Sequence, residues 1–261
     1  MPQTRSGKND EGGGDDQRTT RCTLCGTESQ FFQKDSARRY FRCPCCRLVF
    51  VDPRDLPSRE NEYAHYQLHQ NDPRDRRYRD FLNRLFEPMN ARLTARSRGL
   101  DFGSCPGPAL SLMFTEAGHT MQIYDPFYAP DPSVLQGLYD FITASEVAEH
   151  FHQPGEEFAR LWSLLHPHGW LGIMTKRLRD ADSFGTWHYK LDPTHVSFFS
   201  LETFHWLALR LQAECVVAGN DVVLFRRTWR AEVTAGHRLS EDPGRCPANE
   251  SAASEAVLWG A

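Results

Sequence analysis

A cluster of five cysteines between residues 22 and 46 constrains this sequence more than any other feature. Four of them form two pairs with C-x2-C spacing: Cys22 with Cys25, and Cys43 with Cys46. Each pair can fold into a tight knuckle that presents two thiolates to one ion, and four thiolates in a tetrahedron suit Zn²⁺. Because a four-cysteine site leaves no open coordination position, the spacing predicts a structural zinc ribbon and not a catalytic metal. Cys45 could replace Cys46 as the fourth ligand.

The composition favours a metal site over disulfide bonds. The first residues, MPQTRSGKND, lack the apolar segment of a secretory signal, so we expect a cytoplasmic protein whose thiols stay reduced. No run of 18 apolar residues is present, so neither a membrane span nor a membrane partner is expected. Hydrophobic residues make up 40% of the chain. That share is enough to build a buried core, and it excludes global disorder.

The charge balance argues against a protein that coats nucleic acid. The formal net charge is -4, which provides no bulk attraction to phosphates. A local contact with nucleic acid is not excluded, because the cysteine-rich segment carries several arginines. These are Arg38, Arg39, Arg42 and Arg47.

Composition and periodicity divide the chain into five segments. Both ends are polar with few apolar residues, which predicts disorder there. The predicted segments are a disordered tail over 1–20, the zinc ribbon over 21–53, a helical lid or connector over 54–98, a Rossmann-like domain over 99–228, and a flexible tail over 229–261.

The Rossmann-like segment alternates short strands with helices. Such alternation predicts an α/β fold with a mostly parallel sheet and helices on both of its faces. Near the end of the segment, residues 218–221 form a turn signal, Ala-Gly-Asn-Asp, between two apolar runs. We therefore expect a C-terminal antiparallel hairpin at one edge of the sheet.

A glycine-containing turn and a distant carboxylate indicate a nucleotide-type ligand. Leu100–Pro108 (LDFGSCPGP) ends a strand and opens a helix, so a ligand can lie against bare backbone there. Asp125 stands at the end of the next strand, where a carboxylate can accept hydrogen bonds from ribose hydroxyls. The alternative for Asp125-Pro126 is a plain turn.

Several segments together resemble class I S-adenosylmethionine-dependent methyltransferases that carry an N-terminal zinc ribbon. The likeness extends from Glu62 to Arg227. It rests mainly on Leu100–Pro108, Tyr124–Pro130, Tyr139–Phe151 and His166–Lys176, and further on Tyr66–Asn71 and Phe184–Ser200. The resemblance implies an enzyme that moves a methyl group from S-adenosylmethionine to an acceptor that the sequence does not identify.

The resemblance also implies the residues of a cofactor site. Asp101, Gly103, Cys105 and Gly107 would shape the turn, Asp125 would hold the ribose, and Ser145 and Glu146 would line the methionine side. Cys105 stands where the family has a glycine, so its side chain would crowd the cofactor. The segment between Asp125 and Asp140 is too short for a full helix and strand, which predicts a shortened sheet edge and leaves adenine recognition unassigned.

Histidines are the candidate catalytic residues. Removing a proton from an oxygen or nitrogen acceptor calls for a base, and histidine serves this role near neutral pH. His195 is favoured, because it follows the fourth strand, and ligand crevices form beyond strand carboxyl ends. His150 is the second candidate and His188 a third. The alternative for each is a structural histidine.

Two further questions stay open from the sequence. Tyr63, His65, Tyr66 and His69 would form either a lid over the cofactor or a plain connector. The whole chain could instead be a zinc-ribbon adaptor for nucleic acid or protein, with a degenerate and non-catalytic cofactor fold. Cys105 in the glycine turn favours the adaptor mildly, and the acidic net charge argues against it.

Overall fold

The computed structural model describes residues 19–68 and 71–228. The tail predicted for 229–261 and nearly all of the tail predicted for 1–20 lie outside these residues, as does His69. Thr19 and Thr20, which the sequence placed in the tail, begin the first strand. No helix in the described part of the chain has the length and apolar character needed to cross a bilayer.

A six-stranded sheet forms the larger part of the molecule. Its strands are β5 Arg98–Phe102, β6 Thr120–Tyr124, β7 Tyr139–Ser145, β8 Leu165–Met174, β10 Ala213–Ala218 and β11 Val222–Arg227. They lie in the order β10-β11-β8-β7-β5-β6. The four strands from β5 to β8 are parallel, and β11 and β10 add an antiparallel hairpin. The predicted fold class, including the hairpin, is confirmed.

Helices cover both faces of this sheet. They are α2 Arg76–Asn90 and α3 Ala109–Glu116 on one face, and α4 Pro154–Ser163 and α5 Leu201–Leu211 on the other. Side chains of neighbouring strand residues point to opposite faces. Phe141 accordingly packs in the core under α2 and α3, while Ile142 packs in the core under α4 and α5.

The edge of the sheet at β6 is short, as the sequence predicted. The chain after β6 turns back at once, with a backbone bridge between Asp125 and Ala129. It then makes a single 3₁₀ turn, Pro132–Gln136, before entering β7. Within this fully described stretch there is no further strand to pair with β6.

The cysteine-rich segment forms a second sheet that is joined to the first unit. Its strands are β1 Thr19–Arg21, β2 Glu28–Lys34, β3 Arg39–Arg42 and β4 Val49–Val51. A two-residue strand from the larger unit, β9 Ser197–Phe198, adds antiparallel to β4. Cys43 and Cys46 belong to the same buried cluster as Phe151 and Phe199 of the larger unit. The two parts therefore share one hydrophobic core.

Candidate active site

A cavity of about 730 Å³ opens at the carboxyl edge of the parallel strands. This edge is where doubly wound sheets bind ligands, and the volume is typical of a small-molecule site. Its walls come from the ends of three strands, from α1 Arg59–Tyr66 and from the loop before β9. The lining includes Arg59, Glu62, Tyr66, Gly103, Cys105, Asp125, Tyr128, Ser145, Glu146, His150, Asp192 and His195.

The turn after β5 depends on its glycines. Gly103 has a φ of +77°, and a Cβ there would lie 2.4 Å from the Val147 side chain. A Cβ on Gly107 would lie 1.8 Å from the backbone oxygen of Asn71. Both positions therefore exclude any side chain. Gly103 lines the cavity, whereas Gly107 lies against the segment that precedes α2.

Asp125 faces this turn from the end of β6. Its Oδ2 accepts a hydrogen bond from the backbone nitrogen of Cys105 at 3.0 Å. Its Oδ1 accepts two more, from Phe127 at 2.8 Å and from Tyr128 at 3.0 Å. A carboxylate offers about four acceptor positions. Asp125 thus holds the turn in place. One acceptor position stays open on its Oδ2, whereas hydrogen bonds from both ribose hydroxyls would need two.

Asp101 lies beneath the turn and not in the cavity wall. It is 4% exposed and accepts a hydrogen bond from the Thr143 hydroxyl at 2.8 Å. Burial raises the pKa of the Asp101 carboxyl to about 6, against the opposing effect of that hydrogen bond. Asp101 is therefore placed to support the turn and not to contact a ligand in the cavity.

The Cys105 thiol lines the cavity but is a poor nucleophile. Burial, followed by the negative charge of Asp125, raises the pKa of this thiol to about 12. The thiol is therefore protonated at neutral pH, and the reactive thiolate is scarce. The backbone of Cys105 has a φ of +56°, a left-handed conformation that favours glycine.

Replacing Cys105 by glycine should tighten the binding of S-adenosylhomocysteine. The change removes the side chain beside the ligand path, and relief of a steric conflict worth about 1 kcal/mol corresponds to roughly a fivefold gain in affinity. The backbone cost of the left-handed conformation is present with and without ligand, so its removal affects stability and not affinity. Isothermal titration calorimetry measures it. Cys215→Gly, in strand β10 away from the cavity, is the control and should leave the affinity unchanged. A weaker Cys105→Gly complex would show that the thiol contributes to binding.

Ser145 and Glu146 end β7 and face the cavity. Glu146 has a φ of +52°, and such strained positions cluster at functional sites. Burial, reinforced by the charge of Glu149, raises the pKa of Glu146 to about 8. The hydroxyl of Tyr189 donates to Glu149 and, at 3.4 Å, to Glu146. The Tyr189 phenol thus lies between two buried carboxyl groups.

Three polar atoms in the cavity wall are buried without a hydrogen-bond partner among the described residues. They are Oγ of Ser145, Oε1 of Glu146 and the hydroxyl of Tyr128. A buried polar atom without a partner costs about 1–3 kcal/mol. Because the three atoms are themselves buried, a ligand in the cavity could pair with them only after their side chains turn toward it.

His150 and His195 meet on the opposite wall, with ring centroids 4.8 Å apart. Nδ1 of His195 donates to the Tyr189 carbonyl at 2.7 Å, and Nδ1 of His150 donates to the Thr194 carbonyl at 3.0 Å. In the neutral tautomer these bonds place the lone pair on Nε2 of each ring. Burial, then the nearby His150, lowers the pKa of His195 to about 4.

Asp192 supports this histidine pair. Its Oδ2 lies 3.7 Å from Nε2 of His195 and 3.1 Å from Nε2 of His65. Burial would raise the pKa of Asp192, but hydrogen bonds from Thr194 outweigh it and lower the pKa to about 2. A carboxylate at this place stabilises an imidazolium once His195 has taken up a proton. Neutral His195 beside ionised Asp192 is the arrangement of a general base.

Helix α1 closes one side of the cavity through aromatic contacts. Tyr63 stacks on Phe127 with centroids 5.6 Å apart, and Tyr66 packs edge-on against His150 at 5.3 Å. The Arg59 guanidinium lies 4.6 Å above the Phe127 ring. The helix therefore bridges the turn after β6 and the histidine wall, as the lid alternative would require.

The four paired cysteines converge where the second sheet packs against the larger unit. Sγ of Cys22 lies 3.5 Å from that of Cys46, and Sγ of Cys25 lies 3.3 Å from that of Cys43. All four sulfurs fall within 4.8 Å of one another. The two measured separations are too long for a disulfide of about 2.05 Å and lie close to the roughly 3.8 Å edge of a zinc–sulfur tetrahedron. Cys45 lies outside the group.

The two knuckles repeat one backbone pattern. The amide of Cys22 donates to the Thr27 carbonyl, and the amide of Cys43 donates to the Leu48 carbonyl, both at 2.9 Å. The residue after each pair has a positive φ, +74° at Gly26 and +63° at Arg47. This shared geometry turns both thiols of each pair toward the same point. The donor set thus fits a tetrahedral ion that prefers sulfur.

Glu149, His150 and His195 also offer three potential ligand atoms within 4.8 Å of one another. One oxygen of Glu149 is already held by the Tyr189 hydroxyl. The two histidines lie in the cavity wall and Glu149 lies behind them, fully buried. The arrangement suits acid–base chemistry on a ligand in the cavity.

Comparison with known families identifies the larger unit. A family model described as a methyltransferase domain matches residues 65–217, which is more than half of the chain. The chain belongs to the methyltransferase domain family. No curated protein matches it.

Solved structures with a similar arrangement include several other methyltransferases. One is the 1,6-didemethyltoxoflavin-N1-methyltransferase of Burkholderia thailandensis, 17% identical over 76% of this chain and 98% of that one, with a TM-score of 0.44. An O-methyltransferase family protein from the same organism is 16% identical over 67% of this chain and 64% of that one, with a TM-score of 0.44. A possible histamine N-methyltransferase from Thermotoga maritima is 12% identical over 60% of this chain and 97% of that one, with a TM-score of 0.38.

Within the methyltransferase domain, the structure brings together most of the residues that the sequence singled out. Gly103, Cys105, Asp125, Ser145 and Glu146 share one cavity with His150 and His195. Asp101, Gly107 and His188 are not among the described residues that line it. His188 is exposed and lies 3.2 Å from Nζ of Lys176.

Sequence reasoning missed several residues of the cavity. Arg59 and Glu62 reach it from α1, and Tyr128 reaches it from the turn after β6. Tyr128 lies inside the segment used for the resemblance, so its position was available as a signal. Arg59 and Glu62 look like ordinary surface charges of an amphipathic helix, and no sequence signal separates them from such residues.

Proposed function

We propose that this chain is an S-adenosylmethionine-dependent methyltransferase with a structural zinc ribbon. The observation that carries the proposal is the cavity of the methyltransferase domain, in which Asp125 at the end of β6 faces the bare backbone turn after β5. A carboxylate facing such a turn is the arrangement that binds a nucleoside at the carboxyl edge of a parallel sheet. The acceptor stays unnamed, because the residues of the opposite wall suit more than one nucleophile.

The cofactor side runs from the Gly103 turn to the end of β7. Asp125 would accept a ribose hydroxyl on Oδ2, and the turn amides would contact the ligand at the start of α3. Ser145 and Glu146 would pair with the methionine portion. When bound, S-adenosylmethionine supplies an electrophilic methyl group. The chain's task is to align the acceptor with it and to exclude water.

The acceptor side is the histidine wall. Nε2 of His195 would take the proton from the acceptor nucleophile, with His150 as the second candidate. Asp192 would stabilise the resulting imidazolium, 3.7 Å away. The ring of Tyr66 and the helix that carries it would shield this step from solvent.

Zinc bound by Cys22, Cys25, Cys43 and Cys46 would hold the second sheet together. The ion has no open position in such a site, so its role is structural. A reducing compartment keeps cysteine thiols available to bind a metal. A four-cysteine zinc site therefore supports the expected cytoplasmic location.

Binding of S-adenosylhomocysteine tests the proposal. We expect calorimetry to detect one site per chain, and Asp125→Ala to weaken it by roughly tenfold to a hundredfold, the effect of losing one hydrogen bond to a charged group. Asp131→Ala is the matched control, because Asp131 also caps a turn, through the Ser133 amide at 2.9 Å, but lies outside the cavity. It should leave the affinity unchanged.

The rival functions give different results in the same experiment. Binding of RNA without S-adenosylhomocysteine would support the adaptor, and binding of NAD alone would indicate a nicotinamide enzyme. Because Asp125 also holds the turn, thermal unfolding of Asp125→Ala is measured alongside. A folded wild-type protein that binds no S-adenosylhomocysteine would refute the proposed function.

A further inference from the structure

The turn between β2 and β3 of the cysteine-rich sheet reaches into the methyltransferase domain. It carries Asp35 and Arg38, and its own shape is fixed locally, since Oδ1 of Asp35 accepts the amides of Ala37 at 3.0 Å and Arg38 at 2.9 Å. The segment it meets is residues 189–195, here named the histidine loop, which contains Asp192 and ends at His195.

Arg38 makes four hydrogen bonds to backbone carbonyls of the histidine loop. Its Nη1 donates to Pro193 at 3.1 Å and to His195 at 2.9 Å. Its Nη2 donates to Lys190 and, at 3.2 Å, to Asp192. Arg38 is only 8% exposed. Apart from the 3₁₀ turn His188–Leu191 and one bond from the His195 amide to the Asp192 carbonyl, the segment is irregular, and one planar guanidinium contacts four of its carbonyls.

A charge pair fixes the same contact from the other direction. Nζ of Lys190 donates to Oδ2 of Asp35 at 2.9 Å, and the Tyr40 hydroxyl donates to that oxygen at 2.7 Å. Burial would raise the pKa of Asp35, but these two hydrogen bonds outweigh it and hold the pKa well below its usual range. Lys190 is 5% exposed, so this ion pair is shielded from solvent, and losing one partner would leave the other charge buried and unpaired.

Backbone pairing continues the connection to the catalytic wall. Val51 at the end of β4 donates to the Val196 carbonyl at 2.9 Å, and the Val196 amide donates to the Glu149 carbonyl at 2.8 Å. His195 is adjacent to Val196 in the chain, and His150 is adjacent to Glu149. Both histidines are candidate bases. A shift of β4 would therefore move both histidines.

We infer that Arg38 is a positioning residue, through which the zinc ribbon sets the geometry of the histidine loop. The inference rests on the proposed function, because it assigns the histidine loop to the acceptor side of the methyl-transfer site. It gives the ribbon a role in the reaction without any contact between zinc and substrate. Arg38 itself does not line the cavity, so it acts through the loop and not on a ligand.

Hydrogen exchange of the full-length, zinc-loaded protein tests this role. In Arg38→Lys the positive charge stays, but a single ammonium cannot serve four carbonyls held by a planar fork. We expect the amides of residues 189–195 to exchange at least tenfold faster than in the wild type. Zinc content should stay at one ion per chain, and the affinity for S-adenosylhomocysteine should change less than twofold.

A second readout follows the histidine directly. The NMR titration of the His195 ring should move up from its depressed midpoint toward that of a free histidine, near 6.5, as the loop loosens and water enters. Arg47→Lys is the matched control, because Arg47 is an exposed arginine of the same ribbon. It should reproduce the wild type in both measurements.

Two outcomes would overturn the inference. Exchange of the histidine loop equal to that of the wild type would show that Arg38 does not position it. A general rise in exchange throughout the ribbon, with loss of zinc, would show that Arg38 serves only the folding of the ribbon. Failure of the wild type to bind S-adenosylhomocysteine would refute the proposed function and leave the exchange result standing, so the two failures are distinguishable.

Discussion

Cys46→Ser is expected to release zinc and unfold the cysteine-rich sheet, whereas Cys45→Ser should cause neither change. Cys46 is fully buried with its sulfur 3.5 Å from that of Cys22, while Cys45 lies outside the group of four. Structural zinc contributes on the order of 10 kcal/mol to the folding of small modules, so loss of one ligand removes most of what holds the sheet. Elemental analysis and thermal unfolding measure both effects.

The loss should extend into the methyltransferase domain. Strand β4 is paired with β9, and the cysteines share a buried cluster with Phe151 and Phe199. We expect Cys46→Ser to lower the free energy of unfolding of the whole chain by more than about 4–5 kcal/mol, a size that single substitutions reach only through causes such as loss of a metal. Cys45→Ser is the matched control at the adjacent thiol.

Two results would contradict this assignment. Zinc retained in Cys46→Ser but lost in Cys45→Ser would make Cys45 the fourth ligand. A wild-type preparation that is well folded and free of metal would refute the zinc ribbon altogether.

The fold was predictable from the sequence wherever local patterns decide it. The strand before Gly103, the turn at 218–221 and the alternation of strands and helices are set by neighbouring residues, and the structure has all three. The shortened edge followed from chain length alone, because the segment after Asp125 has no room for another strand. These features need no knowledge of distant contacts.

The joining of the two sheets was not predictable in the same way. The sequence treats residues 21–53 as a separate small module, but β4 pairs with β9 from nearly 150 residues later. Such a pairing leaves no periodic signal, because both strands are only two or three residues long. Arg38 is a similar case. The sequence groups it with Arg39, Arg42 and Arg47 as a possible contact for nucleic acid, whereas the folded chain buries Arg38 against four backbone carbonyls.

The residue types of the candidate site were predictable from the sequence, but their hydrogen-bond partners were not. Asp125 faces the turn as expected, yet three backbone amides already occupy its carboxylate. The plain turn expected as the alternative for Asp125-Pro126 is therefore present, and the ligand contact of Asp125 stays a prediction. The positive φ of Glu146 was not predictable either. Glycine is the main residue by which a sequence indicates a left-handed backbone, and position 146 is a glutamate.

Replacing His195 by asparagine is expected to lower methyl transfer by about 10²- to 10⁴-fold, the usual contribution of a general base. The asparagine amide can keep the hydrogen bond that Nδ1 of His195 makes to the Tyr189 carbonyl, while the acceptor at Nε2 is lost. Transfer of radioactive methyl from S-adenosylmethionine to fractions of a cell extract measures the rate. The affinity for S-adenosylhomocysteine should change less than threefold, because His195 lies on the wall opposite Asp125.

The pH dependence provides an independent check on the same residue. Burial lowers the pKa of His195 to about 4, so the ring is neutral and able to accept a proton at all pH values well above that. His195 should therefore cause no fall in transfer as the pH falls from about 8 to about 6, where an exposed histidine with a pKa near 6.5 would already be losing its basic form. A change in this range should instead follow Glu146, whose pKa is raised to about 8, and should disappear in Glu146→Gln. His188→Asn, at an exposed histidine of the neighbouring segment, should keep full activity. Full activity in His195→Asn with a loss in His150→Asn would move the base to His150, whose ring lies 4.8 Å away.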